Sequence, residues 1–206
     1  MPEKLVELAN WVAGEDIELS EDLDDGRINS SVSESKILEA LQSRFSSVES
    51  PPPRYWYDFA FDDGKDFFPV NIKVTTTTTA DNLSCKLGIY YALTGLDPEF
   101  ANELRWKSYF KSLKENLATD TSSDYYFMVV NKLESSDVWI ASLKTLQTLV
   151  VNGNNLPFQC RWADNRVPRE RSQSDAADFI LKTFGDSIKK RAQIYIDWQE
   201  SFPERT

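Results

Sequence analysis

Two apolar, β-rich runs, Tyr55-Trp-Tyr-Asp-Phe-Ala-Phe61 and Phe67-Phe-Pro-Val-Asn-Ile-Lys-Val-Thr75, flank the polar stretch Asp62-Asp-Gly-Lys-Asp66. Aromatic and β-branched residues suit a pleated, half-buried surface, and an Asp-Gly step between two such runs is a strong hairpin signal. A hairpin fixes where side chains go, because residues two apart on a strand share a face. Asn71 and Lys73 therefore project together, while Ile72 turns into a core and can offer its backbone carbonyl. Asp58 lies in the first run, thirteen positions before Asn71. Pairing the runs brings a carboxylate, an amide and an amine into one neighbourhood.

That neighbourhood has a chemistry. Phosphodiester hydrolysis calls for a divalent cation that lowers the pKa of a water and neutralises charge in the transition state, and Mg²⁺ takes oxygen ligands. Asp58 can supply one such ligand, and Lys73 can orient the attacking water and the scissile phosphate. A surface hairpin with ordinary polar residues accounts for the same spacing, so spacing alone leaves both readings open.

Composition narrows the field. The chain has 206 residues, 41% hydrophobic and 13% aromatic, which suits one globular domain over 1–206 with a substantial core. No apolar run of 18 or more residues exists, and Met-Pro-Glu-Lys-Leu-Val lacks the layout of a signal peptide, so no membrane partner and a cytoplasmic location are expected. With no His and two Cys, Cys85 and Cys160, the chain lacks the means for Ser/His/Asp or Cys/His catalysis and for the usual zinc sites. A carboxylate, lysine and Mg²⁺ site is among the few hydrolytic options left.

Periodicity gives the remaining order. Residues 3–12 and 34–45 show helical spacing and bracket an acidic stretch, with 1–32 read as an acidic N-terminal helix and loop. Ser50-Pro-Pro-Pro53 breaks the chain before the first strand. Helical patterns follow over Leu83–Leu93, ended by Gly95, and from Asp97-Pro98 through Phe100, Leu104, Phe110, Leu113 and Leu117. The segment Leu143–Val151 is apolar and ambiguous. A last helix from Asp175 carries the stripe Phe179, Phe184, Ile188, Ala192 and Tyr195, a pattern of core or dimer interface. The sum is an α/β fold with a mixed sheet of about five strands flanked by helices on both sides.

Asp58 followed by Asn71-Ile72-Lys73 resembles the signature of type II restriction endonucleases of the PD-(D/E)XK superfamily. Tyr57 stands where that signature often has Pro, and Asn71 stands where it has its second acid. The segments Asp124–Asn131, Asp137–Ala141 and Leu156–Trp162 resemble the remaining strands of a restriction-endonuclease-like core, and the final helix with Lys189-Lys-Arg-Ala192 resembles the C-terminus of family members. The likeness covers most of residues 33–200. It implies a sequence-specific double-stranded DNA endonuclease using Mg²⁺, with Asp58, Asn71 and Lys73 catalytic, and Asp58, Asn71 and the Ile72 carbonyl on the metal. It further implies a homodimer on a short palindrome and a cognate DNA methyltransferase as partner in the same system. A repair or recombination nuclease and a catalytically silent DNA-binding protein are the alternatives.

Asn71 is the departure that matters, since an amide oxygen can coordinate a cation but brings no charge. It is a tolerated Asn, an inactivating replacement, or a sign that an acid comes from elsewhere. Glu39, on a helix whose counterpart in the family often carries an acid, and Asp81 are the candidates. Asp81 also sits where an N-cap would before Leu83, Leu87 and Tyr91, and Glu39 reads equally as a solvated helical residue.

A formal net charge of −10 sits poorly with a polyanionic partner until its distribution is considered. Residues 1–26 hold nine acids against Lys4, which leaves only −2 on the rest of the chain. A near-neutral body can present a basic groove, and the acidic stretch is by default a solvated face. The run Arg161–Arg171 holds Arg161, Asn165, Arg166, Arg169 and Arg171, and Arg and Asn are the side chains that read guanine and adenine edges. Each Arg could as well clamp phosphate or pair with Asp164 or Glu170. The family likeness also assigns DNA contacts to Thr75, Thr76, Thr77, Asn82 and Lys86, the Thr hydroxyls being able to bond any phosphate, although the run Thr75–Thr79 reads equally as a plain polar loop.

Overall fold

The computed structural model describes residues 1–19, 26–52, 55–62, 64, 67–100 and 105–205. Much of the acidic stretch expected near the N-terminus, at residues 20–25, lies outside them, as does Leu104. The order of elements is α1 (Glu3–Gly14), α2 (Gly26–Arg44), β1 (Val48–Glu49), β2 (Phe59–Asp62), β3 (Phe67–Thr75), β4 (Ala80–Leu83), α3 (Lys86–Thr94), α4 (Trp106–Asn116), β5 (Tyr126–Asn131), β6 (Val138–Ser142), β7 (Phe158–Arg161) and α5 (Gln173–Ser201), with short 3₁₀ turns after β6, β7 and α5.

The class is mixed α/β, with a five-stranded sheet in the order β1-β2-β3-β5-β6. Strands β3 and β5 are parallel, and the other neighbours are antiparallel. The expected hairpin is β2 and β3. The segment expected as a further core strand at Leu156–Trp162 shortens to β7, which leaves the main sheet and pairs with β4 as a two-stranded ribbon. The fifth strand of the sheet is instead β1, a two-residue piece too short for a periodic signal.

Two cores lie on the two faces of the sheet. Val70, Ile72 and Val74 of β3, with Tyr126, Met128 and Val130 of β5, bury against Leu5, Leu8, Ala9 and Val12 of α1 and Ile37 and Leu41 of α2. The alternate residues Phe127 and Val129 of β5 join Ile89, Leu93, Tyr109, Leu113, Phe158, Trp162, Ile180 and Phe184 on the other face. Strand β5 is buried on both sides, which is why it reads as a continuous apolar run. Each of the fully buried aliphatic or aromatic side chains contributes about 1.5–3 kcal/mol. Helix α5 starts at a capping Ser172, whose Oγ accepts from the Asp175 N–H at 3.1 Å and donates to the Asp175 carboxylate at 2.7 Å.

Two helix expectations are corrected. The helix expected from Leu83 begins at Lys86, because Asp81, Asn82 and Leu83 are taken by the ladder to β7, so Asp81 is not an N-cap. The helix expected from Asp97-Pro98 begins at Trp106, and Asp97–Phe100 closes tight turns instead, with Glu99 N–H on Asp97 O and Phe100 N–H on Pro98 O. The ambiguous Leu143–Val151 segment is a 3₁₀ turn at Leu143–Thr145 and a single bridge from Val150 to Gln159.

One glycine anchors the approach to the hairpin. A Cβ on Gly88 of α3 would lie 2.6 Å from the Tyr125 ring, so only glycine lets that ring pack flat on the helix. The Tyr125 hydroxyl then donates to the Trp56 carbonyl at 2.7 Å, and the two rings stack at 5.9 Å. Residues 55–58 are thereby tied to the second core just before Asp58.

Candidate active site at the open edge of a central strand

Strands β2 and β3 pair only as far as Phe59 opposite Val70, with one further bond from Asp58 N–H to Val70 O at 2.9 Å. Strand β3 runs on to Thr75 beside β5, so beyond Val70 its other edge is not covered by β2. Backbone groups alternate sides along a strand. Val70 faces β2, and the Thr75 carbonyl faces the β5 side, where it accepts from Lys132 N–H at 3.0 Å. Ile72 and Val74 must therefore present their N–H and carbonyl groups to the open edge.

Two carboxylates meet those N–H groups. Asp58 Oδ2 accepts from Ile72 N–H at 2.7 Å, and the Glu34 carboxylate of α2 accepts from Val74 N–H. The anchoring donors are about 7 Å apart along the strand. The Ile72 carbonyl belongs to the same edge. Asp58 Oδ2 also accepts from Asn71 Nδ2 at 2.7 Å, so the amide that replaces an acid holds the remaining acid in place.

The electrostatics follow from this enclosure. Burial pushes Glu34 up to about 7, against the pull of Lys73 and with reinforcement from Asp58 and Asp81. Burial also raises Asp58 above the usual carboxylate range, opposed by the Ile72 N–H and by Lys73. Lys73 is the cation that both acids feel.

Space surrounds the edge. A groove of about 410 Å³ on the Asp58 side is lined by Ser31, Glu34, Tyr55, Tyr57 and Asp58. A second, of about 470 Å³, is lined by Glu34, Lys73, Thr75, Thr76, Asp81, Asn82 and Lys132. Glu34 borders both. A smaller cavity of about 220 Å³ holds Asn71 and Lys73 among Tyr55, Trp56, Cys85, Tyr125 and Phe127, and burial there pushes the Cys85 thiol up to about 12, leaving it inert.

The fold thus brings together Asp58, Asn71, Ile72 and Lys73. It places Glu39 on the exposed side of α2, away from the edge, and puts Glu34 at the site in its stead. The signal for Glu34 was present in the sequence, because it stands in line with the apolar positions Ile37 and Leu41 and so faces inward. Asp81 borders the second groove, but its Oδ2 accepts from the indole N–H of Trp162 at 3.1 Å.

Among the described residues no group of three or more Asp, Glu, Cys or His converges as a metal cage. Mg²⁺ does not require one, since it commonly takes one or two carboxylates and completes its octahedron with waters and substrate oxygens. Asp58, Glu34 and the Ile72 carbonyl are a donor set of that kind, and the Asn71 amide oxygen is a possible fourth.

The residues expected on DNA fall into two groups. Thr75 and Thr76 border the second groove, and Thr77 is buried in a tight turn at φ 65°, its carbonyl accepting from Ala163 N–H at 3.0 Å. Lys86 lies over the Trp106 ring at 4.8 Å. Asn165 is buried: its Oδ1 accepts from Thr148 N–H at 2.9 Å, and its Nδ2 donates to Arg161 O at 2.7 Å. Arg166 makes a two-pronged pair with Asp137, which holds that carboxyl below its usual range, and stacks on Trp139. Arg171 donates to the carbonyls of Lys144 and Leu146 and lies over Phe179. Arg161 and Arg169 keep exposed side chains. Gln159, not singled out in the sequence, sits opposite Asn82 in the ribbon and donates to its Oδ1 at 2.8 Å, so Asn82, Gln159 and Arg161 share the ribbon's outer face.

Compared with known protein families and with curated proteins, the chain matches none. No helix among the described residues is long and apolar enough to cross a membrane.

Proposed function

We propose that this protein is a Mg²⁺-dependent endonuclease acting on double-stranded DNA at specific sequences, in the manner of the type II restriction enzymes its hairpin resembles. The observation that carries the reading is the pair of carboxylates, Asp58 and Glu34, seated on successive free N–H groups of β3 with Lys73 beside them. Asp58, Glu34 and the Ile72 carbonyl would hold the ion, which when bound supplies charge neutralisation and an acidified water. Asn71 keeps Asp58 aimed at the edge through its amide. Lys73 holds the attacking water and a phosphate oxygen in line. Glu34 must give up its proton to serve as a ligand, which ties activity to pH near neutrality.

Asn82 of the β4–β7 ribbon borders the groove that holds Glu34 and Lys73, and the outer face of the ribbon takes the sequence-reading role, since a two-stranded ribbon fits the major groove and amide and guanidinium groups discriminate base edges there. A palindromic site then calls for two copies of the chain, and a methyltransferase would protect the host's own sites. A catalytically silent DNA-binding protein is favoured by one observation, the neutral Asn71 bonded to Asp58 where a second acid would stand. Incubating supercoiled plasmids with the protein and Mg²⁺ decides between them. Discrete fragments that vanish with EDTA, with Asp58→Ala and with Lys73→Ala support the nuclease; intact plasmid over a range of sequences and Mg²⁺ levels overturns it. A smear in place of fragments would point to a nuclease without sequence preference.

A further inference from the structure

The groove that holds Glu34 and Lys73 has a second cation, Lys132, which the catalytic reading leaves unused. Strands β3 and β5 run parallel with Lys73 opposite Val129 and Thr75 opposite Asn131, and the Lys132 N–H carries the ladder one residue further by donating to Thr75 O at 3.0 Å. Lys132 therefore stands three positions beyond Lys73 on the neighbouring strand, its backbone roughly 10 Å away along the sheet. Its mount is fixed. Lys132 follows Asn131 in a tight turn closed by Glu134 N–H on Asn131 O at 3.0 Å, and the Asn131 side chain accepts from Leu133 N–H at 3.1 Å and donates to Asp137 at 3.0 Å. Lys4, Lys111 and Lys182 pair with carboxylates, and Lys36 and Lys144 donate to carbonyls. The Lys132 side chain is exposed and has no such partner among the described residues.

The backbone beside it is strained. Thr77 has φ 65°, in the left-handed region that a β-branched residue rarely enters, and it is buried with its carbonyl accepting from Ala163 N–H. Strain of this kind persists where the surroundings over-determine it, and it gathers where ligands are held. The turn around Thr77 sets Thr76 Oγ1 2.9 Å from Thr79 Oγ1, and both residues border the groove. In a hydroxyl pair one member donates to the other, and the second keeps its proton for a partner outside. The groove's two acids each accept a bond already, Glu34 from Val74 N–H and Asp81 from the Trp162 indole at 3.1 Å. An exposed ammonium near a spare hydroxyl donor suits an anion with several acceptor oxygens. A DNA strand presents such anions at regular intervals, so a strand whose scissile phosphate lies on Lys73 carries further phosphates along the groove towards Lys132.

We propose that Lys132, with the Thr76–Thr79 hydroxyl pair, anchors a backbone phosphate of the cleaved strand next to the scissile phosphate held by Lys73. The anchor fixes where the strand lies in the groove and reads no base. It rests on the nuclease reading for which phosphate is scissile, whereas the contact itself is tested by binding.

Duplex binding is measured with Ca²⁺ in place of Mg²⁺, and the same samples are checked for cutting. Lys132→Ala should weaken binding roughly 10-fold, alike on cleavable and random sequences, and should lower the slope of log affinity against log salt by about one. Lys132→Arg should restore most of the affinity, and urea unfolding of both variants should match wild type. Duplexes with one phosphate at a time replaced by a neutral methylphosphonate locate the contact. The replacement beside the cut should weaken wild type and add nothing to Lys132→Ala, while replacements elsewhere act alike on both proteins. A wild-type chain that binds no duplex, affinity and salt slope unmoved by Lys132→Ala, a loss confined to one sequence, or a phosphate series with no position that becomes indifferent would each overturn the anchor. A protein that shows the coupling at one phosphate but never cuts keeps the anchor and loses the nuclease reading. One whose cutting needs Asp58 and Lys73 but ignores Lys132→Ala loses the anchor alone.

Discussion

The open edge of β3 and the Arg161–Arg171 loop are both rich in polar side chains suited to phosphates and bases, yet they use them in opposite ways. At the edge, the strand itself lacks a partner, so Asp58 and Glu34 converge on its N–H groups and keep oxygens facing the grooves. In the loop, the chain must return from β7 to α5 across irregular backbone, and Asn165, Arg166 and Arg171 are consumed in satisfying Thr148, Asp137 and the carbonyls of Lys144 and Leu146. A polar group is available for chemistry when regular structure has already met the backbone's needs around it, and is drawn inward where it has not.

The widest separation between the regions lies in activity. Asp58→Ala, Glu34→Gln and Lys73→Ala should each lower Mg²⁺-dependent cleavage by at least about 10²–10³-fold in single-turnover assays, while Arg166→Ala and Arg171→Ala leave the cleavage step untouched. An Arg166→Ala protein that folds but cannot cut would erase the contrast.

Stability should show the reverse ordering. Asn165→Ala removes the acceptor of the Thr148 N–H and the donor to Arg161 O inside a closed environment, a loss of about 2–3 kcal/mol by urea denaturation. Glu34→Gln should instead stabilise the metal-free protein above pH 7. Folded Glu34 keeps its proton to about 7, whereas the unfolded chain releases it near 4.5. Between those values the folded state binds more protons, so stability falls as pH rises through the window, by up to ~3 kcal/mol. Gln removes that slope. Should wild type and Glu34→Gln lose stability in parallel between pH 5 and 8, buried Glu34 is not the group responsible, and its place as the second acid weakens.

The two regions also differ in how readable they were. The hairpin was legible because everything it needs is local: alternation puts Asn71 and Lys73 on one face, and pairing of the two neighbouring runs brings Asp58 near. Glu34 needed one non-local fact, that α2 crosses the open edge, although its alignment with Ile37 and Leu41 marked it as inward-facing. The fate of Asn165 could not be read, because its partner Thr148 lies seventeen residues away in a segment with no periodic signal. Placing Leu156–Trp162 in the main sheet failed for a related reason. The apolar pattern of β7 says that one face is buried, but the identity of its neighbour was hidden, because β4 is only four residues, Ala80–Leu83, where Asp81 reads as the start of a helix. The helix expected at Asp97-Pro98 shows the limit of a local rule, since proline opens turns as readily as helices.

Within the ribbon itself the expected effects are smaller and concern preference. Gln159→Ala or Arg161→Ala should cost about 1–3 kcal/mol on a cleavable sequence and little on random duplex DNA, with unfolding unchanged. Equal losses on both DNAs would reassign the ribbon to backbone contact, and the sequence-reading face would then have to be sought elsewhere on the grooves.

Arg166 offers the finest test, because it sits beside the ribbon and carries the side chain most suited to guanine. Its guanidinium is held two-pronged by Asp137 and lies 4.0 Å from the centre of the Trp139 ring, an orientation that leaves little of its donor fork for a base. The pair is on the surface, with 43% of the Arg166 side chain exposed, so solvent screening limits its contribution. Arg166→Ala should therefore destabilise by only about 0.5–1 kcal/mol, part of it from lost stacking on Trp139, and raised salt should shrink the difference. Cleavage of a preferred sequence relative to a one-base variant should not move. If that ratio drops while stability holds, Arg166 leaves Asp137 when DNA arrives, and the loop joins the reading surface instead of bracing it.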